Sequence, residues 1–177
     1  MESLTYATTP AFRLPEITKC KVLDVYDADS VVVAVDVGGT WCRFPVRLIG
    51  IDTPERRPRR DAPHADLEKR AALSAHRALI RMIVGDEACG AACNLHRRRV
   101  VRDLCGSCDR TLDLRTRGFD KYGRVLGELV DATGAAATLN ERLVSEGWAR
   151  VYGGGTRHPW TEAELRAIVE KADGETL

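Results

Sequence analysis

The sequence predicts an α+β chain built on a five-stranded β-barrel of the OB type, with three α-helices and a cysteine-rich insertion at about 86–109. Three observations carry this prediction. Five short segments rich in β-branched and apolar residues are separated by turn signals, one long helical pattern falls between the third and the fourth, and two helices close the chain. Hairpin-linked strands around one interrupting helix suit a small Greek-key barrel. The 177 residues suffice to bury a sizeable core, and they read as a loose leader over 1–16 and a single domain over 17–177.

Ile17 to Tyr26 reads as the first strand, and Asp27-Ala28-Asp29-Ser30 as a polar turn. Val31 to Val37 is β-branched and forms the second strand, turned back at Gly38-Gly39 into a third from Trp41 to Ile51. Phe44, Val46 and Leu48 share one face of that third strand, with Arg43 and Arg47 on the other. Pro54 ends it in a turn. A basic, proline-containing loop covers 56–64. Leu67, Ala71, Ala72, Ala75, Leu79, Met82 and Ile83 then recur at helical spacing, with Gly85 as the stop. An irregular segment is expected from Asp86 to about Asp109. Thr111–Thr116 and Arg124–Val130 complete the strands. Thr138 with Glu141, and Thr161 with Glu164, open the two closing helices as capping boxes, with Trp160 placed to staple onto Leu165.

Composition excludes several classes. Apolar residues make up 44% and charged residues 30%, and no apolar run approaches the ~18 residues that would span a bilayer. The start of the chain has no basic segment followed by an apolar core, so an intracellular, reducing setting and no membrane association are expected. A net charge of +1 gives no global pull toward nucleic acid, but Arg56, Arg57, Arg59 and Arg60 form one local basic cluster and Arg97, Arg98, Arg99 and Arg102 another. A monomer is expected.

The hairpin at Gly38-Gly39 has a geometric consequence. Residues paired across it sum to roughly 77 to 80, so Asp29 faces the region of Leu48 to Ile51, near Asp52 and beside Arg47. Carboxylates distant in sequence therefore gather at one end of the ribbon. Charges of both signs at a strand end are either a site or a salt-bridge cluster.

Four separated motifs carry a resemblance: Asp27-Ala28-Asp29-Ser30; Arg47 through Asp52-Thr53-Pro54-Glu55; Asp120-Lys121-Tyr122-Gly123-Arg124; and Leu139-Asn140 with Leu143, Val144, Gly147 and Ala149. In this order and spacing the sequence resembles the staphylococcal nuclease-like (thermonuclease) family from about Ile17 to Val151. The resemblance implies an OB-fold barrel that hydrolyses DNA and RNA phosphodiesters with calcium, releasing a 5′-hydroxyl and leaving a 3′-phosphate. Carried over, Asp29, Asp52 and the Thr53 carbonyl would hold Ca²⁺, with Asp27 nearby. Glu55 would act as general base, Arg47 and Arg124 would grip the phosphate, and Lys121 and Tyr122 would lie by the nucleotide. Ala28 and Ser30 depart from the family's usual Gly and Thr, and Ala28 would be strained if its turn required φ > 0.

Read without the family, the same residues suit phosphoryl transfer. Hard carboxylate oxygens favour Ca²⁺, which offsets the charge of an anionic diester. The planar fork of arginine matches two phosphate oxygens, and Glu55 needs only reach to a water. The cysteines lie outside the resemblance. Cys89, Cys93, Cys105 and Cys108, with His96 as a substitute, are spaced for tetrahedral zinc, against disulfides or free thiols. Cys20 and Cys42, in strands, are expected to be ordinary buried residues, and His64, His76 and His158 surface residues. The competing functions are a nuclease-like binding module without catalysis, and an insertion that docks a protein or nucleic-acid partner.

Overall fold

The computed structural model describes residues 4–91, 95–131 and 137–174. Strands β1 (Ile17–Asp27), β2 (Ser30–Val37), β3 (Thr40–Leu48), β5 (Leu112–Phe119) and β6 (Val125–Asp131) close a barrel in the order β1-β2-β3-β6-β5. All neighbours are antiparallel except β3 and β6, which run parallel with Val46 abreast of Val125. The two-residue strands β4 (Ile51–Asp52) and β7 (Arg150–Val151) form a separate antiparallel ribbon. The helices are α1 (Ala65–Val84), α2 (Asp86–Ala91), α3 (Arg98–Ser107), α4 (Leu139–Ser145) and α5 (Glu162–Gly174).

The β2–β3 hairpin turns as expected. Gly38 and Gly39 both take positive φ (61° and 90°), which a two-residue primed turn demands, and the Asp36 side chain accepts the Gly39 N–H at 2.7 Å. The register runs from Val37↔Thr40 to Ser30↔Arg47, placing Val31, Val33 and Val35 in the core. Pro45 is tolerated because β6 joins β3 only from Val46 onward, so no neighbouring strand requires its missing N–H. Gly127 is needed for close approach: a Cβ there would meet the Arg115 carbonyl oxygen at 2.8 Å across the β5–β6 pair.

The third strand is shorter than expected. It ends at Leu48, and Gly50 (φ 78°) breaks it before β4. Ala28 is not strained, since among the described residues His64 is the one non-glycine with positive φ; irregular pairing between Val25 and Asp27 absorbs the β1–β2 turn.

α1 buries an alanine-rich face with Leu79, Met82 and Ile83 against α5, α4 and β1. His76 is on that face, fully buried, with Nε2 2.8 Å from the Val25 carbonyl oxygen. It is not the surface residue expected, because a ring that satisfies a strand carbonyl can be buried neutral. Burial pushes its pKa down to about 4.

Part of the insertion is helical where an irregular segment was expected. In α3, Val101 and Cys105, four residues apart, form a narrow apolar stripe that docks on β1. Leu104 packs beside it against the core. Two arginines of α3, Arg98 and Arg102, close on the buried Asp24 of β1 at 2.7 and 2.9 Å, and Lys21 Nζ donates to the Gly106 carbonyl at 2.8 Å. Both closing helices carry reciprocal Thr–Glu caps. Trp160 is half-buried against the core, with the Arg150 guanidinium 4.1 Å above its ring.

Candidate active site at the barrel rim

The site is assembled where β2, β3 and β4 end. The pairing that places Ser30 opposite Arg47 carries Asp29 one step beyond, and the Leu48 N–H donates to the Asp29 carbonyl at 2.8 Å. β4 pairs with β7 so that Asp52 lies opposite Arg150. Asn140 of α4 fixes the intervening bend, donating to the Ile49 carbonyl at 2.8 Å and accepting the Leu129 N–H at 3.2 Å.

Asp29, Arg47, Asp52 and Thr53 are all buried, an expensive arrangement for charges unless each is paired. Arg47 is. Its terminal nitrogens meet Asp29 Oδ2 at 3.1 Å, the Leu48 carbonyl at 2.5 Å and the Ile51 carbonyl at 3.0 Å. Arg47 thus gathers the turn between β3 and β4 around itself. Arg150 Nη2 holds Asp52 Oδ2 at 2.8 Å. Asp52 Oδ1 is buried and accepts no hydrogen bond.

Glu55 stands at the mouth, half-exposed, with its backbone N–H donating to the buried Glu68 of α1 at 3.1 Å. Burial raises its pKa, Arg157 opposes that rise, and Asp29 and Asp52 add to it. A carboxylate whose pKa is raised is a stronger proton acceptor than a free one. Asp27, on the β1–β2 hairpin with Asp29, is raised to about 6 by burial first and by Asp29 next.

Sequence reasoning missed Arg157. Its Nε is 3.3 Å from Asp52 Oδ1 and its Nη2 3.8 Å from Asp29 Oδ2, and its Nη1 donates to Glu55 Oε1. One guanidinium therefore touches all three carboxylates. Burial works against its charge, but Asp52, Glu55 and Asp29 outweigh this and its pKa rises. The segment 153–158 has no periodicity and no matching motif to single it out, and a basic residue after three glycines reads as a loop.

Arg124 is arranged differently from Arg47. Its Nε is held by Asp120 at 2.8 Å and its guanidinium lies 5.7 Å from the Tyr122 ring centroid, while its terminal nitrogens make no hydrogen bond among the described residues. It still influences Arg47 electrostatically, so it belongs to the same end of the barrel. Lys121 Nζ is 5.1 Å from the same exposed Tyr122 ring. A cleft of about 310 Å³ opens beside the carboxylates, lined by Asp52, Thr53, Glu55, Pro58, Arg157 and Trp160.

The donors are hard oxygens, and Asp52 contributes one that is buried and lacks a hydrogen bond; this chemistry fits a hard divalent cation. Among the described residues, however, no group of three or more His, Cys, Asp or Glu side chains is disposed as a metal-binding set, here or at the cysteines. At the rim, the carboxylates are closed around Arg157 instead. Cys89 and Cys105 turn into the core, where burial raises both thiols, Cys105 to about 12; Cys93 lies outside the described residues.

Residues 45–177 match the family described as staphylococcal nuclease homologue. The chain belongs to that family. The match covers three quarters of the chain, from within β3 through α5, and so includes Arg47, Asp52, Glu55, Arg124 and Arg157. The β1–β2 hairpin bearing Asp29 precedes it. Among curated proteins no sequence matches the chain. No helix among the described residues is long and apolar enough to cross a membrane.

Proposed function

We propose that the chain is a calcium-dependent nuclease that hydrolyses phosphodiester bonds of DNA or RNA with little sequence preference, giving 3′-phosphate ends. The observation that carries this reading is the convergence of Asp29, Asp52 and Glu55 with Arg47 at one end of the barrel, in a chain of the staphylococcal nuclease family. Asp29, Asp52 and the Thr53 carbonyl would hold Ca²⁺, which when bound supplies a Lewis acid that offsets phosphate charge.

The chain's own residues do the rest. Glu55, with its raised pKa and a backbone anchored on Glu68, takes a proton from the attacking water. Arg124 presents open terminal nitrogens to the phosphate, while Asp120 fixes the base of its side chain. Arg47 acts mainly as organiser, because its terminal nitrogens already hold Asp29 and two strand-end carbonyls. The exposed Tyr122, flanked by Lys121 and Arg124, offers a base a stacking surface. The whole of 17–177 acts as one domain, as a monomer, in an intracellular setting. For Cys89, Cys93, Cys105 and Cys108, spacing alone supports a structural zinc ion, and the zinc content of purified protein measures it.

The test is digestion of single-stranded DNA, duplex DNA and RNA by the purified chain, with calcium and with a chelator, beside Glu55→Gln. Calcium-dependent cleavage reduced about 10²-fold or more in the variant is the expected outcome. Folded protein that binds these polymers without cleaving them under any metal would instead be the non-catalytic binding module of the family.

A further inference from the structure

The geometry points to Arg157 as an internal counter-cation that competes with the divalent metal for Asp29, Asp52 and Glu55, and so sets the strength of metal binding. This rests on the calcium reading above. Arg157 stands among the three carboxylates, touching each with a different nitrogen. Two of those carboxylates belong to buried residues that would repel each other if left without a cation. Arg47 and Arg150 cannot replace it. Arg47 is committed to Asp29 and to backbone carbonyls, and Arg150 holds Asp52 through its other oxygen, Oδ2, and the His158 and Pro159 carbonyls.

The attachment of Arg157 to the chain suits exchange. It lies in an exposed segment after Gly153-Gly154-Gly155, where Gly154 and Gly155 take φ of 95° and 92°. Tyr152 Oη closes that segment onto the Gly155 carbonyl at 2.5 Å, and Arg150 ties its far end at His158. Between these two ties Arg157 is held through side-chain contacts to carboxylates, with its guanidinium 5.8 Å from the Tyr152 ring centroid. Its side chain is 40% exposed, so water can take over its solvation as it leaves. The oxygen facing it, Asp52 Oδ1, accepts no hydrogen bond from it, so Arg157 satisfies the charge of that atom without meeting its bonding geometry. A small cation that accepts oxygen ligands from many directions has no such restriction.

The experiment is calorimetric titration of calcium into the metal-free full chain, without nucleic acid, for the wild type, Arg157→Ala and Arg157→Lys. Removing a competing, partly exposed guanidinium with three carboxylate contacts is expected to tighten calcium binding roughly tenfold in Arg157→Ala. Arg157→Lys, which keeps the charge and loses the fork, should fall between the two, and it carries the test should the alanine variant not fold. Calcium bound by the wild type but no more tightly by the folded variants overturns the proposal and leaves the nuclease reading in place. No calcium bound by any of the three overturns the calcium reading together with it.

Discussion

Asp24 and Asp52 begin as similar residues and end in opposite roles. Both are buried strand aspartates, each gripped by two arginines and each retaining one oxygen without a hydrogen bond. At Asp24 the two arginines come from one helix, α3, and no second carboxylate among the described residues pairs with them. Positive charge is in surplus, and the cluster clamps the insertion onto β1. At Asp52 the arginines come from β7 and from the loop beyond it, and Asp29 and Glu55 crowd the same space. Three carboxylates there are balanced by three arginines, Arg47, Arg150 and Arg157, so a cation can be accepted where the loop arginine, Arg157, gives way. A buried carboxylate is thus a structural part or a site according to how many others share its arginines.

The contrast is tested most strongly at Asp52. Asp52→Asn relieves carboxylate crowding, so the fold should survive with a melting temperature within a few degrees of the wild type. Calcium-dependent cleavage should fall by about 10²-fold or more, as a nuclease assay would show. A variant that cleaved normally would place Asp52 in the same structural class as Asp24.

The Asp24 region should respond to acid instead. His76, bonded to Val25 beside Asp24, has a folded pKa of about 4 against an ordinary 6.5. The unfolded chain therefore takes up this proton first as pH falls, and stability is lost from about pH 6.5 down to about 4. By pH 4.5 the loss should reach about 2–3 kcal/mol. Chemical denaturation at pH 7 and 4.5 should show that difference shrinking in His76→Gln, which keeps a donor for the Val25 carbonyl.

The smallest effect is expected at Asp24 itself. Arg98 and Arg102 are about half exposed and can return to water, so Asp24→Asn should cost about 2 kcal/mol, or roughly 4–8 °C in Tm, with cleavage by the folded protein unchanged. A loss of cleavage without a loss of stability would mean that the insertion belongs to the site.

Much of this molecule was determined locally and is readable in the sequence. Two glycines requiring positive φ specify the β2–β3 turn, strict alternation specifies which valines enter the barrel, and reciprocal Thr–Glu pairs start α4 and α5. That turn's register, with its constant pair sum, carries Asp29 to the level of Leu48, so the meeting of Asp29 with Arg47 follows from counting residues. Three features needed the tertiary structure. α3 has apolar residues at helical spacing, Val100, Val101, Leu104 and Cys105, but ten residues rich in arginine do not specify a helix by themselves, and the β1 surface it docks on completes it. His76 gave no sign of burial because its partner is a backbone carbonyl 51 residues earlier, and every residue offers one of those. Arg157 lies 102 residues beyond Glu55 in a glycine loop. Short-range patterns report backbone conformation and alternation; a long side chain on a loop can reach several partners, and only the packed chain decides which carboxylates it meets.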